Sequence, residues 1–345
     1  SPDEVAAALE VNRTLTMLAI SGNSIDSLPP IMGVMTGLRE LHISENSFER
    51  HPSEVVEAAM VKQSNTKIWH DGKEPATALC LWLSRMRAAR ITKDLDAANF
   101  SLKRVPNEVL TATTMQLLRL SLECNLLEFI PSEVNYLSTL TYLNLAHNNL
   151  RTIPETIGTM TNLTVLYLNN NKLTRLPIEI GHLRPTVLSR LAISNNRLET
   201  PPKEMLTSST RDLLRYYLTS EIAMLTGNLD WSWTKSMTSM RRICGDVLNW
   251  QRLVILLLDD NEIEVLDVEM CSKMPYLELL SLARNRIARL PPELAEHTQL
   301  HTLRLSQNQI TEVPITFGSM RGLHRLELSG NALKRPPLDV LKYGT

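Results

Sequence analysis

The chain has 345 residues, 43% of them apolar and 21% charged, the balance of a soluble protein that builds a core. Lys plus Arg (36) and Asp plus Glu (37) leave a net charge of −1, which disfavours nucleic acid as a partner because its binders carry a basic excess on one face. Only 5% of residues are aromatic, so the core must be aliphatic, and no apolar run approaches the ~20 residues of a membrane-spanning helix.

Taken in chain order, one pattern, LxxLxLxxNxLxxLP, keeps returning. A first block over 1–52 holds two copies, marked by Asn23 and Asn46. Residues 53–91 break the pattern. Ser53 can cap a helix that runs on through Val55 and Val56, Asp71-Gly72 marks a turn, and Pro75 opens a second helix with Leu79, Trp82, Leu83 and Met86 at helical spacing. A second block over 92–202 holds five copies. One reads Leu140, Leu143, Leu145, Asn148, Leu150, Ile153, Pro154, and the next begins at Leu163, a shift of 23 residues. The first copy of this block, at Leu95, Ala97, Leu102, Val105 and Pro106, has Phe100 in place of Asn.

A second interruption covers 203–252. Leu206, Leu213, Leu214, Tyr217 and Leu218 predict one helix, and Met237, Met240, Ile243, Val247 and Leu248 another, with Trp231-Ser232-Trp233 between them. A third block over 253–345 holds four copies, marked by Asn261, Asn285, Asn308 and Asn331, and ends on what reads as the start of a further joint.

Each position in the pattern has a physical task. The LxL segment is a short strand whose leucines point inward and whose intervening residues point outward. The Asn turns the chain and satisfies backbone groups that the turn buries. The Leu-Pro step starts the opposite wall. One such unit cannot bury its apolar face alone, so copies must stack. The expected fold is an α/β solenoid, a horseshoe with a parallel β-sheet on the concave face and helical inserts between repeat blocks. These residues resemble the 23-residue intracellular class of leucine-rich repeats, as in Ras-group scaffolds and the repeat arrays of Roco-type proteins. The resemblance covers roughly two thirds of the chain.

No chemistry-bearing motif stands out. Gly72-Lys73 lacks the rest of a phosphate-binding loop. His297 and His301 are four apart, but His301 falls in a predicted strand, where helical metal-pair geometry fails. The expectation is therefore no catalytic residue, no cofactor and no metal. Cys80, Cys124, Cys244 and Cys271 form no tight cluster, which points to reduced thiols and a cytoplasmic setting.

What remains is a surface for a protein partner. The outward positions of the second block offer Arg119, Tyr142, Asn144, His147, Tyr167, Asn169 and Arg190, with Tyr142 and Tyr167 at nearly equivalent places in adjacent copies. The third block offers Arg284, Arg304 and Arg325 with His301 and His324, interrupted by Glu327. Trp231 and Trp233 would share one face of a strand and either pack on the helices or anchor a partner. The expected function is a non-catalytic interaction scaffold or subunit of a larger assembly. The alternative is a regulatory repeat arm of a multidomain signalling enzyme such as a Roco-type GTPase, a cyclase or a phosphatase.

Overall fold

A computed structural model of the chain describes residues 15–25, 27–28, 30–35, 38, 40–43, 45–46, 55, 75–111, 115–184, 186–201, 203–232, 241, 243, 251–266, 268 and 273–334. The chain divides into two compact units, Ser1–Pro177 with Thr186–Arg197, and Ile178–Pro185 with Leu198–Thr345. In the first unit β1 (Met17–Ala19) pairs in parallel with β2 (Glu40–His42). A five-stranded parallel sheet follows in sequence order: β3 (Asp94–Asp96), β4 (Arg119–Ser121), β5 (Tyr142–Asn144), β6 (Val165–Tyr167) and β7 (Arg190–Ala192). The second unit repeats this plan with β8 (Asn228–Asp230), β9 (Ile255–Leu257), β10 (Leu279–Ser281), β11 (Thr302–Arg304) and β12 (Arg325–Glu327).

Each strand has only three residues, too few to persist alone. Its place is fixed by the middle residue, which points inward. Leu95, Leu120, Leu143, Leu166 and Leu191 are register partners, as are Leu229, Leu256, Leu280, Leu303 and Leu326. All but the last rung of each ladder are fully buried. Each buried leucine contributes on the order of 1.5–3 kcal/mol. After each strand the chain turns, and an Asn closes the turn. Asn148 accepts from Leu127 N–H at 3.1 Å and donates to Leu122 O at 2.9 Å and Leu145 O at 3.1 Å, so one amide stitches two repeats. Asn125, Asn171, Asn285 and Asn308 are buried in the same role.

The residue before the Asn is left-handed. It is Gly22 (φ +70°) and Gly330 (φ +72°) in the outermost described copies, but Cys124, His147, Asn170 or Arg284 elsewhere. The aberrant copy obeys the same geometry with its residues displaced. Asn99 takes the left-handed slot (φ +62°), Phe100 fills the Asn position, and Asn125 Oδ1 accepts from both Phe100 N–H and Leu102 N–H at 3.0 Å.

The two five-stranded sheets each begin next to a long helix. Helix α1 (Pro75–Thr92) packs on the 3-10 turn Pro30–Val34, and helix α2 (Thr210–Thr226) on the 3-10 turn Ile178–His182. Leu79, Trp82, Leu83 and Met86 form the buried face of α1, as their spacing predicts. Both contacts use a glycine. A Cβ on Gly33 would lie 2.2 Å from Ser84 N, and one on Gly181 would lie 2.5 Å from Leu218 N. The helix backbone therefore rests directly on the turn.

The sequence pattern puts a purely helical insert over 203–252, yet strand β8 lies inside it and pairs with β9. The pattern hides this strand because Trp231 stands where the second leucine of LxL would be. Of the predicted second helix in this segment, only Ile243 falls within the described residues, where it is buried. The remaining residues quoted for it, and those of the helix expected from Ser53 apart from Val55, lie outside the described residues.

Candidate functional site

On both sheets the inward rung leaves the first and third residue of each strand facing outward. In the first unit one outward row runs Asp94, Arg119, Tyr142, Val165, Arg190, and the other Asp96, Ser121, Asn144, Tyr167, Ala192. Tyr142 and Tyr167 are therefore diagonal rather than equivalent. This offset lets the rings meet edge to face, with centroids 5.8 Å apart and planes at 66°. Arg119 lays its guanidinium over Tyr142 at 3.9 Å from the ring centroid while pairing with Asp94 Oδ2 at 3.2 Å. Arg190 lies over Tyr167 at 5.0 Å. The result is a cation–ring–ring–cation row, half-buried at the tyrosines and exposed at the arginines.

The other expected members differ. Asn144 is buried, donates to Glu123 Oε2 at 2.9 Å and accepts from Ala146 N–H at 3.0 Å, so its amide is spent on the strand end and is not a contact group. His147 is exposed in the left-handed slot, 3.0 Å from Asn170 Nδ2 through its Nε2. Asn169 is half-buried beside it.

In the second unit Arg284 is already engaged. It forms a two-pronged pair with Asp260, and its hydrogen bonds hold that carboxyl below the usual range. Arg304, Arg325, His301 and His324 do come together. The two imidazoles stack at 5.5 Å, Arg325 Nε donates to Glu327 Oε1 at 2.6 Å, and Arg304 Nε lies 3.6 Å from the same oxygen. Arg304 Nε is buried and makes no hydrogen bond among the described residues.

Sequence reasoning missed the neighbouring surface, Ile255, Leu257 and Leu279, which point outward and are half-buried. The run Val254–Leu258 is apolar throughout, so no period separates its inward from its outward residues.

Trp231 must be corrected from a candidate anchor to core. It is 3% exposed, stacks on Tyr216 at 4.6 Å and 25°, and donates its indole N–H to Thr219 Oγ1 at 3.0 Å. Trp233 lies outside the described residues. Among the described residues no cluster of His, Cys, Asp and Glu is arranged to hold a metal ion, and no helix is long and apolar enough to cross a membrane. Burial pushes the Cys80 thiol up to about 11, while Cys124 is exposed.

The repeat register, the Asn ladder and a match of residues 116–173 and 251–310 to the leucine-rich-repeat family model agree. Each unit carries a leucine-rich-repeat fold. No curated protein matches this leucine-rich-repeat sequence. Solved structures similar to it include a leucine-rich-repeat protein of Leptospira interrogans, at 24% identity over 97% of this chain and 83% of that one, with a TM-score of 0.33. The BIR3–SERK2 complex of Arabidopsis thaliana matches at 26% identity over 35% of this chain and 72% of that one, with a TM-score of 0.29. An internalin of Listeria monocytogenes matches at 16% identity over 97% and 89%, with a TM-score of 0.30.

Proposed function

We propose that this leucine-rich-repeat chain is a non-catalytic interaction scaffold that grips a protein partner on the open sheet face of its first unit. The observation that carries the reading is the row Arg119–Tyr142–Tyr167–Arg190. Tyr and Arg, with Trp, are enriched among the few residues that carry most of the binding energy in protein interfaces. Here they are ordered against each other before any partner arrives, so little side-chain freedom is left to lose on docking. The leucine rungs beneath hold the row in fixed register, and stacked repeats of this kind form extended binding surfaces.

The reading places the protein in the cytoplasm. The 23-residue step from Leu143 to Leu166 is the spacing of the intracellular class, and the exposed thiol of Cys124 suits a reducing compartment. It also makes the chain a subunit of a larger signalling assembly.

Affinity capture from native extract tests it. Wild-type chain and the variant Tyr142→Ser/Arg190→Glu are immobilised side by side, and melting curves are recorded for both. The expected result is loss of the captured protein with little change in melting temperature. Equal capture by both chains removes this sheet face from the account.

A further inference from the structure

The second sheet differs from the first in one respect that points to its ligand. Its outward rows run Asn228, Ile255, Leu279, Thr302, Arg325 and Asp230, Leu257, Ser281, Arg304, Glu327. Three aliphatic side chains, Ile255, Leu257 and Leu279, sit together on β9 and β10, where the corresponding strands β4 and β5 of the first unit present Arg119, Ser121 and Tyr142. Ser281, buried between Leu257 and Arg304, adds no bulk beside them.

Next to this floor the charge is unbalanced. Arg304 and Arg325 share a single carboxylate, Glu327, so one positive charge is left over. Arg304 Nε is buried 3.6 Å from that carboxylate without a hydrogen bond to it, while its side chain stays 37% exposed. The surface thus lacks two things in fixed order, an apolar cover over β9–β10 and an acceptor anion over β11–β12.

Resting on the proposal that these sheet faces bind protein, we infer that the second sheet holds an extended partner peptide that carries a bulky aliphatic side chain followed by a carboxylate. The spacing follows from the sheet. Adjacent strands lie ~4.8 Å apart, so β9 is about 10 Å from β11 and about 14 Å from β12. An extended chain rises ~3.4 Å per residue, which puts the carboxylate about three to four residues beyond the aliphatic anchor. The aliphatic side chain covers Ile255, Leu257 and Leu279. The carboxylate pairs with the exposed parts of the Arg304 and Arg325 side chains and balances the charge that Glu327 leaves over, a charge-assisted contact.

Fluorescence anisotropy with a designed probe tests this on the full chain. The probe is a short labelled peptide with a leucine pair, a short serine spacer and a glutamate pair. Comparison peptides carry lysine for glutamate, serine for leucine, or no spacer. The probe is expected to bind saturably, more weakly as salt is raised, and each comparison peptide to lose about tenfold or more in affinity. Arg304→Gln and Arg325→Gln, at partly exposed sites, should each weaken the probe about tenfold while the melting temperature stays near wild type. Leu257→Ser should weaken it as well. No saturable binding, or binding indifferent to the glutamates and to both arginine variants, overturns the inference. Such a failure with Tyr142-dependent capture intact sinks this inference alone, whereas loss of that dependence sinks the proposed function.

Discussion

The joints that open the two sheets follow one plan with different side chains. In the first unit α1 supplies Trp82, which is fully buried, meets Phe100 edge to face at 5.2 Å and donates its indole N–H to Glu108 Oε1 at 2.5 Å. In the second, α2 supplies Tyr216 at the corresponding place, and the large indole comes from the strand side as Trp231. Both helices then turn straight into a strand through a left-handed residue, Lys93 (φ +61°) in one and Gly227 (φ +75°) in the other. What is kept is the volume and the backbone path. The identity of the residue that fills them is free to change, which is how packed cores behave.

The largest effect expected from breaking this parallel is at the indoles. Trp82→Ala and Trp231→Ala should each destabilise their own unit by ~3–5 kcal/mol, read by chemical denaturation. If Trp231→Ala lost partner capture with stability unchanged, the second joint would be a binding element and the parallel would fail. Next is the stitching amide of the sheets. Asn148→Ala strips partners from Leu127 N–H, Leu122 O and Leu145 O, and a loss of about 2–3 kcal/mol is expected in the same assay.

The left-handed turn should respond with opposite signs in the two joints. Gly227→Ala adds a Cβ 2.8 Å from Arg252 O and forces a side chain into left-handed backbone, for a loss of about 1–3 kcal/mol. Lys93→Gly relieves the same strain in the first joint and should gain up to about 1 kcal/mol. Equal signs would mean that the two turns are not equivalent.

The smallest effect is confined to acid. His297 is 4% exposed, follows the turn Pro292–Glu296 and leaves its Nε2 without a hydrogen bond among the described residues, where Leu137 and Met160 follow the corresponding turns of the first unit. Burial holds its pKa below the usual 6.5. Near that value the unfolded chain takes up the proton first. The stability is therefore present above about pH 6.5 and is lost as pH falls toward the lowered folded value. His297→Leu should flatten this acid limb of the melting temperature against pH and leave the alkaline side nearly unchanged.

Much of the fold was legible in the sequence, because its signal is periodic. Leu143, Leu145 and Asn148 recur at a fixed step, and each recurrence is a strand, a rung and a stitch. The Phe100 copy was also legible, since Leu95 and Leu102 kept their places around it. Strand β8 was not, because Leu229 has Trp231 for its partner and a helix directly before it. The binding surfaces were legible only in part. Outward positions can be counted from the repeat, and that count finds Tyr142, Tyr167, Arg190, Arg304 and Arg325. It cannot tell that Asn144 turns its amide to Glu123, or that Arg284 is taken up by Asp260, because those choices are made between side chains of neighbouring repeats. It also overlooks Ile255, Leu257 and Leu279, whose aliphatic character reads as core until the register separates their faces.

The central claim is that the sheet face of the first unit, and not another surface of that unit, meets the partner. Site-specific photo-crosslinking tests this most directly. A photoreactive phenylalanine analogue is placed at Tyr142 in one sample and at Phe129, an exposed ring outside the strands, in another, before the chain is mixed with native extract. The account predicts a discrete crosslinked adduct from position 142 and none from position 129. An adduct from position 129 alone, or equal adducts from both, would contradict it.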